Sequence, residues 1–258
     1  MPETLLWPLH HRAAAARKRT FFRDESAIAI ADAIEYPYER NFGRLDSTLV
    51  HRAMVFDQEV MRFMRAHPGC TVVELAAGLE TQFERVDDGK VRWLAVDLPE
   101  SIAVRERFLP TEGRHRNVAC SALDFRWMEE VDTEHGVFVT AAGLLMYLKP
   151  SDVRHLVVAC AERFPGGSMV FDAIPRWLSR RTQKGLRRTL HYRLPAMPWG
   201  LDANEQDKVL AWSDRIANVT DLLPHPYDAT GLLLRLMAHI PLVRQKRHTM
   251  MRLDFSGE

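Results

Sequence analysis

The chain has 258 residues, 47% hydrophobic and 27% charged, an ordinary globular composition with ample length for one large core. Lys plus Arg (35) nearly balances Asp plus Glu (34), which excludes a global field favouring nucleic acid or an anionic membrane. Cys70, Cys120 and Cys160 are too few for a disulfide framework and lack paired metal spacing, so a reducing, cytoplasmic setting without a bound metal is expected.

Residues 1–9 lack a basic leader followed by an apolar run, so no signal peptide is expected. Basic clusters at Arg12–Arg23 and Arg176–Arg193 read as solvated helix faces. Leu49–Ala66 repeats apolar residues every three or four positions and stops before His67-Pro68-Gly69, which predicts a helix. Thr71–Leu75 is β-branched and apolar and precedes Ala76-Ala77-Gly78, a buried strand entering a tight loop. Val91–Val96 predicts a second strand closed by Asp97, and Ser101–Leu109 a helix after it. Short strands are expected at Asn117–Cys120 and Gly136–Ala141, then a helix from Lys149 to Phe164 with Pro150 near its start. The turn Pro165-Gly166-Gly167 introduces a fifth strand, Ser168–Ala173. Arg176–Asn204 lacks a clear period and reads as an excursion over the ligand edge. Gly231–Val243 is too broken by Arg235, His239 and Pro241 to span a bilayer. A last strand is expected at Thr249–Phe255, in an antiparallel edge hairpin.

Buried strands alternating with helices predict an α/β fold: a doubly wound, mostly parallel, Rossmann-like sheet. In such sheets ligands sit beyond the carboxyl ends of the strands. The loop Ala76–Leu79 lets a ligand approach the backbone, and Asp97, about twenty residues on, can accept both hydroxyls of a ribose. The loop has neither the three-glycine dinucleotide fingerprint nor Gly-Lys-Ser/Thr, which disfavours a pyrophosphate cradle and a nicotinamide oxidoreductase. A cofactor with ribose and no phosphate fits better.

The run Val72–Arg85 (Val-Val-Glu-Leu-Ala-Ala-Gly-Leu-Glu-Thr-Gln-Phe-Glu-Arg), followed by Val96-Asp97-Leu98-Pro99, resembles the leucine carboxyl methyltransferase family. Gly143–Leu148 is similar to that family's fourth-strand motif and Ala119–Trp127 to its third-strand segment. Leu5–Leu9 and Trp199–Asp202 look like its bacterial small-molecule branch, typified by tetracenomycin carboxyl methyltransferases. The resemblance implies a class I, seven-stranded methyltransferase domain over residues 1–258, with an N-terminal helical cap (1–48) and a lid (175–212). It implies S-adenosylmethionine as cofactor, S-adenosylhomocysteine as product, and a small-molecule acceptor, a carboxylate or phenol of a polyketide-like secondary metabolite. A monomer or homodimer is expected, with neither nucleic acid nor membrane as partner.

By the same resemblance Arg52 binds the methionine carboxylate, with Arg19 as a second basic contact. Gly78 and its neighbours, including Glu74, line the methionine portion; Asp97 holds the ribose; Leu98 touches the adenine; Ser121, Ala122, Leu123 and Asp124 flank it. Two positions depart from the family. Ala76 stands where glycine is usual, and Ala142 where a glutamate normally faces the cofactor's amino group, a contact that Glu74 or a carbonyl could replace. A carboxylate acceptor, ionised at pH 7, needs no general base. A hydroxyl acceptor makes a base useful, with Tyr147, His191 and His11 the catalytic candidates and His10 beside them. Trp7, Trp199 and Trp212 could frame an aromatic acceptor. A protein methyltransferase acting on a C-terminal leucine, and a cofactor-binding homologue without turnover, are the alternatives.

Overall fold

The computed structural model describes residues 3–257. Seven strands occur among them: β1 (Thr71–Leu75), β2 (Arg92–Asp97), β3 (His115–Ala119), β4 (Val137–Ala141), β5 (Ser168–Ala173), β6 (Ile216–Leu222) and β7 (Thr249–Phe255). They form one sheet in the order β3-β2-β1-β4-β5-β7-β6, parallel from β3 to β5, with β7 antiparallel to both its neighbours. The doubly wound, mostly parallel expectation holds.

Every residue of β1, β4 and β5 is buried, because helices cover both faces of the sheet. On one face lies α4 (Ser47–Ala66), its N-terminus capped by Asp46, whose carboxylate accepts the Thr48 N–H at 3.1 Å. Its stripe Val55, Phe56, Val60, Phe63 and Met64 packs on Val72, Trp93, Phe138 and Val170. On the other face α7 (Pro150–Arg163) lays Val153, Leu156, Val157 and Cys160 against Val73, Val139 and Met169. Three helices precede α4: α1 (Glu3–Lys18), α2 (Glu25–Ala33) and α3 (Tyr38–Phe42). Short helices α5 (Gln82–Val86) and α6 (Pro99–Arg105) follow β1 and β2.

The structure differs from the sequence expectation in the second half. Residues 176–183 form a helix, α8 (Arg176–Gln183), whose one buried stripe is too narrow to show as a period. A helix α9 (Gln206–Leu210) leads into β6, which carries polar Asn218, Thr220 and Asp221 along the sheet's outer edge. The apolar run near residue 231 is α10 (Ala229–Ala238), followed by α11 (Pro241–Arg244). No helix among the described residues is long and apolar enough to cross a membrane. Cys70 and Cys160 are buried free thiols and Cys120 is half-buried.

The N-terminal helices are tied to the β1 loop by charge. Arg12 on α1, 2% exposed, donates to Asp24 at 3.2 Å, to Glu80 at 2.6 Å and to the Leu79 carbonyl at 2.7 Å. The expected solvated basic face therefore fails at Arg12. Burial alone would push the Glu80 carboxyl up, but the Arg12 and Arg85 guanidiniums outweigh it and bring it down to about 2. Glu74, also buried, is pushed up to about 7 by desolvation despite Arg105. The two signs oppose. Glu80 stabilises the fold above its ordinary value of 4.5 and stops doing so as pH falls through about 2. Glu74 stabilises below 4.5, an effect lost as pH rises through about 7. Urea unfolding of Glu74→Gln should therefore show a smaller loss of stability than wild type between pH 5 and 8. An identical pH slope in the two proteins would refute the assignment.

Candidate active site

A cavity of about 570 Å³ opens at the carboxyl ends of β1, β2, β4 and β5, where the strand order reverses between β1 and β4. The β1 loop reaches it through backbone that few side chains adopt: Ala76 has φ +55° and Gly78 φ +47°. A Cβ on Gly78 would lie 2.8 Å from the Leu5 side chain. Ala76 occupies the left-handed region at a cost of about 1–2 kcal/mol, which is the physical reason glycine suits that position.

Asp97 ends β2 with both oxygens on backbone: Gly78 N–H and Leu98 N–H each donate at 2.7 Å. A carboxylate offers about four lone-pair positions, so acceptor capacity remains for ligand hydroxyls. Burial pushes the Asp97 carboxyl above its ordinary value, against those amides and Ser101. Leu98, 43% exposed, and Ser121, Ala122 and Leu123 line the same end of the cavity.

Arg52, in the first turns of α4, is 7% exposed and donates from Nη1 to Asp172 at 3.1 Å. Among the described residues Nε and Nη2 have no hydrogen-bond partner, which leaves a guanidinium edge for an incoming carboxylate. Gly143 (φ +70°) lets this happen, since a Cβ there would sit 2.9 Å from Nη1. Asp172, at the end of β5, also accepts from the Gly143 N–H and from His248 at 2.9 Å. Burial opposes its ionisation, but Arg52, His248 and Gly143 hold its carboxyl well below the ordinary range.

Several sequence expectations need correction. Arg19 lies at the exposed end of α1 with φ +51° and pairs with Glu25 at 3.4 Å; it does not line the cavity. The arginine of α1 that does is Arg12, seven residues earlier. Asp124 caps the 3₁₀ turn Phe125–Glu130 and pairs with Arg126, outside the cavity. His191 is exposed and likewise outside. His11 is fully buried between Trp7 Nε1 and the Asp46 N–H, each at 3.0 Å, and burial and His10 drive it down to about 3. Packed between these two donors and outside the cavity, His11 is a structural group and a very weak base. His10 is stacked on Tyr38 with Nε2 at the Gly43 carbonyl. Trp199 and Trp212 line a groove behind α8, and Trp199 packs on Phe171; only Trp7 of the three faces the cavity.

Tyr147 does line the cavity, and burial pushes its phenol above its ordinary value, so it stays protonated at neutral pH. Glu74 and Ala142 also line it. Glu74 is committed to Trp93 Nε1 at 3.1 Å and to Arg105 at 3.6 Å. The acid next to Ala142 is Asp172, because β4–β5 pairing sets Ala141 against Phe171 and so carries residue 142 to the level of 172. Met146, Ile174 and Met197 form an apolar cluster with Trp7, Tyr147 and Leu178, and it walls the cavity beside Arg52 and Asp172. Arg188 closes this wall, stacked 5.0 Å from the Trp7 ring and paired with Asp46 at 3.0 Å. No metal-binding group of His, Cys, Asp or Glu occurs among the described residues.

The pattern of the leucine carboxyl methyltransferase family matches residues 8–161. The chain is 31% identical over 182 residues to the tetracenomycin polyketide synthesis O-methyltransferase TcmP of Streptomyces glaucescens, covering 69% of this chain and 67% of that one. The PH0226 protein of Pyrococcus horikoshii OT3 is similar in structure, with TM-score 0.54 and 11% identity over 83% of this chain and 92% of that one. The N-methyltransferase NodS of Bradyrhizobium japonicum WM9, in complex with S-adenosylhomocysteine, has TM-score 0.50 and 12% identity over 90% and 99% of the two chains. At such identities these two likenesses are of fold.

Proposed function

Since this chain belongs to the leucine carboxyl methyltransferase family and is an S-adenosylmethionine-dependent O-methyltransferase of small molecules, we propose that its acceptor is an aromatic, polyketide-like carboxylate or phenol. The observation that carries the proposal is the shape of the cavity. The same cavity joins the polar groups of Arg52, Gly78 and Asp97 to the apolar wall of Trp7, Met146, Ile174 and Met197.

The residues present fit the cofactor. The open edge of Arg52 suits the methionine carboxylate, the spare lone pairs of Asp97 the ribose, and Leu98 with Ser121–Leu123 the adenine. When bound, S-adenosylmethionine supplies a methyl group already activated on a sulfonium. The chain therefore has to orient the acceptor oxygen in line with that methyl and keep water out. In this reading residues 1–48 cap the site and 175–212 form its lid, since Leu5 and Trp7 on one side and Leu178 and Met197 on the other line the cavity. The likeness to TcmP supports a polyketide acceptor, and the three free thiols support a cytoplasmic location.

The test is transfer of radiolabelled methyl to a panel of hydroxyanthraquinones and anthraquinone carboxylic acids, alongside a peptide ending in leucine. Labelled aromatic product and unlabelled peptide are expected. A labelled peptide would overturn the small-molecule acceptor, and cofactor binding without any labelled product would favour a homologue without turnover.

A further inference from the structure

Resting on that reading, we infer that His248 is the general base of this site, oriented by Asp172, and that the acceptor group is therefore a hydroxyl, a phenol rather than a carboxylate. His248 immediately precedes β7 and lines the cavity, with its side chain 35% exposed. Its Nε2 sits 2.9 Å from Asp172 Oδ2. Asp172 has no exposed side-chain surface and pairs with Arg52, so it is an ionised acceptor, and the N–H of the imidazole belongs at Nε2. Nδ1 is then left as a lone pair, and it has no hydrogen-bond partner among the described residues. An imidazole whose N–H is fixed by a buried carboxylate, with its other nitrogen free beside a cavity, is the arrangement a general base requires.

Two strands build this pair. Asp172 closes β5, and antiparallel pairing sets it against Met250 of β7, which brings residue 248 to the cavity's rim. The surrounding charged and titratable groups are Asp172 on β5, Arg52 on α4, Tyr147 in the 3₁₀ turn Leu145–Tyr147, and the Arg247–Asp221 pair beside β6. On α4 the neighbouring His51 is turned away to Asp228 at 2.7 Å. A carboxylate acceptor would gain nothing from a base, being ionised already at neutral pH. A phenol, near 10 when free, would.

In the step, the acceptor O–H gives its proton to Nδ1 of His248. The oxygen's electron pair forms the new O–CH₃ bond, the methyl–sulfur bond breaks with its pair on sulfur, and S-adenosylhomocysteine is released. His248 returns its proton to water.

The experiment compares wild type, His248→Gln and Asp172→Asn with 1,8-dihydroxyanthraquinone and anthraquinone-2-carboxylate as probes, across pH and at saturating cofactor. Two further readouts are S-adenosylhomocysteine affinity and the visible phenolate band of the bound dihydroxy probe. His248→Gln should lower kcat for the phenol at least about a hundredfold. It should also abolish the acid limb of the pH profile and the phenolate band, while homocysteine-product affinity stays within about threefold. Asp172→Asn, a positioning change, should lower kcat yet keep an acid limb. Methylation of the carboxylate probe alone, an unchanged profile in His248→Gln, or neither turnover nor a phenolate band in wild type overturns the base. Loss of product binding by wild type would instead strike the proposed function itself.

Discussion

Replacing Arg85 with alanine is expected to destabilise the folded chain by about 3–5 kcal/mol, the range for removing one partner of a buried ion pair. Arg85 sits on α5 with its side chain 8% exposed. Its fork donates from Nε and Nη2 to the two oxygens of Asp57 at 2.8 and 2.9 Å. Its Nη1 reaches Asp24 at 2.9 Å and Glu80 at 2.8 Å, and the guanidinium lies 5.5 Å from the Phe22 ring. Truncation removes a partner from three carboxylates. Asp24 and Glu80 keep Arg12, but Asp57 keeps only the amide of Gln82 at 2.9 Å. Thermal unfolding followed by circular dichroism should fall by about 6–20 °C, at roughly 2–4 °C per kcal/mol for a chain of this size. The control is Arg114→Ala, which breaks a partly exposed pair with Asp87 at 2.8 Å and should cost less than about 1 kcal/mol. Equal losses in the two variants would contradict a buried anchor at Arg85.

Asp97→Ala and Arg52→Ala should each weaken S-adenosylhomocysteine binding at least tenfold, about 1.4 kcal/mol. In the proposed binding mode Asp97 holds the ribose and Arg52 the methionine carboxylate. Asp97→Ala also frees the Gly78 and Leu98 amides that now fix the loop, so its effect should exceed that of Asp97→Asn, which keeps one acceptor oxygen. Arg52→Lys keeps a charge but loses the planar fork and should recover only part of the affinity. Since Arg52 also neutralises Asp172, its variants need a thermal melt beside the titration, so that a destabilised fold is not read as a lost contact. Unchanged affinity in folded Asp97→Ala would place the ribose elsewhere.

Much of this site was legible because its parts are local in sequence. β1, β5 and β7 have the bounds expected, since Thr-Val-Val-Glu-Leu and Ser-Met-Val-Phe-Asp-Ala are unbroken buried runs between turn signals. Gly78 and Asp97 could be placed because each directly follows or ends such a run. Edge strands carried less signal. β3 begins His-Arg-Asn, two residues before the stretch expected, and the polar outer face of β6 hid it altogether. Arg12 and Arg19 show the limit of reading by offset: both lie near α1, and only the packing of that helix on the β1 loop decides which is buried. Asp172 and His248 are 76 residues apart and meet only through β5–β7 pairing. One signal was present, an acid within an otherwise apolar buried strand, which must find a partner.

The most direct test of the account is calorimetric titration of the purified chain with S-adenosylmethionine and, separately, S-adenosylhomocysteine. One saturable site per chain for each ligand, weakened in Asp97→Ala, is the predicted result. No heat with either ligand from a protein that melts cooperatively would contradict the account at its centre, and would mean that Ala76 and Ala142 mark a site that no longer holds the cofactor.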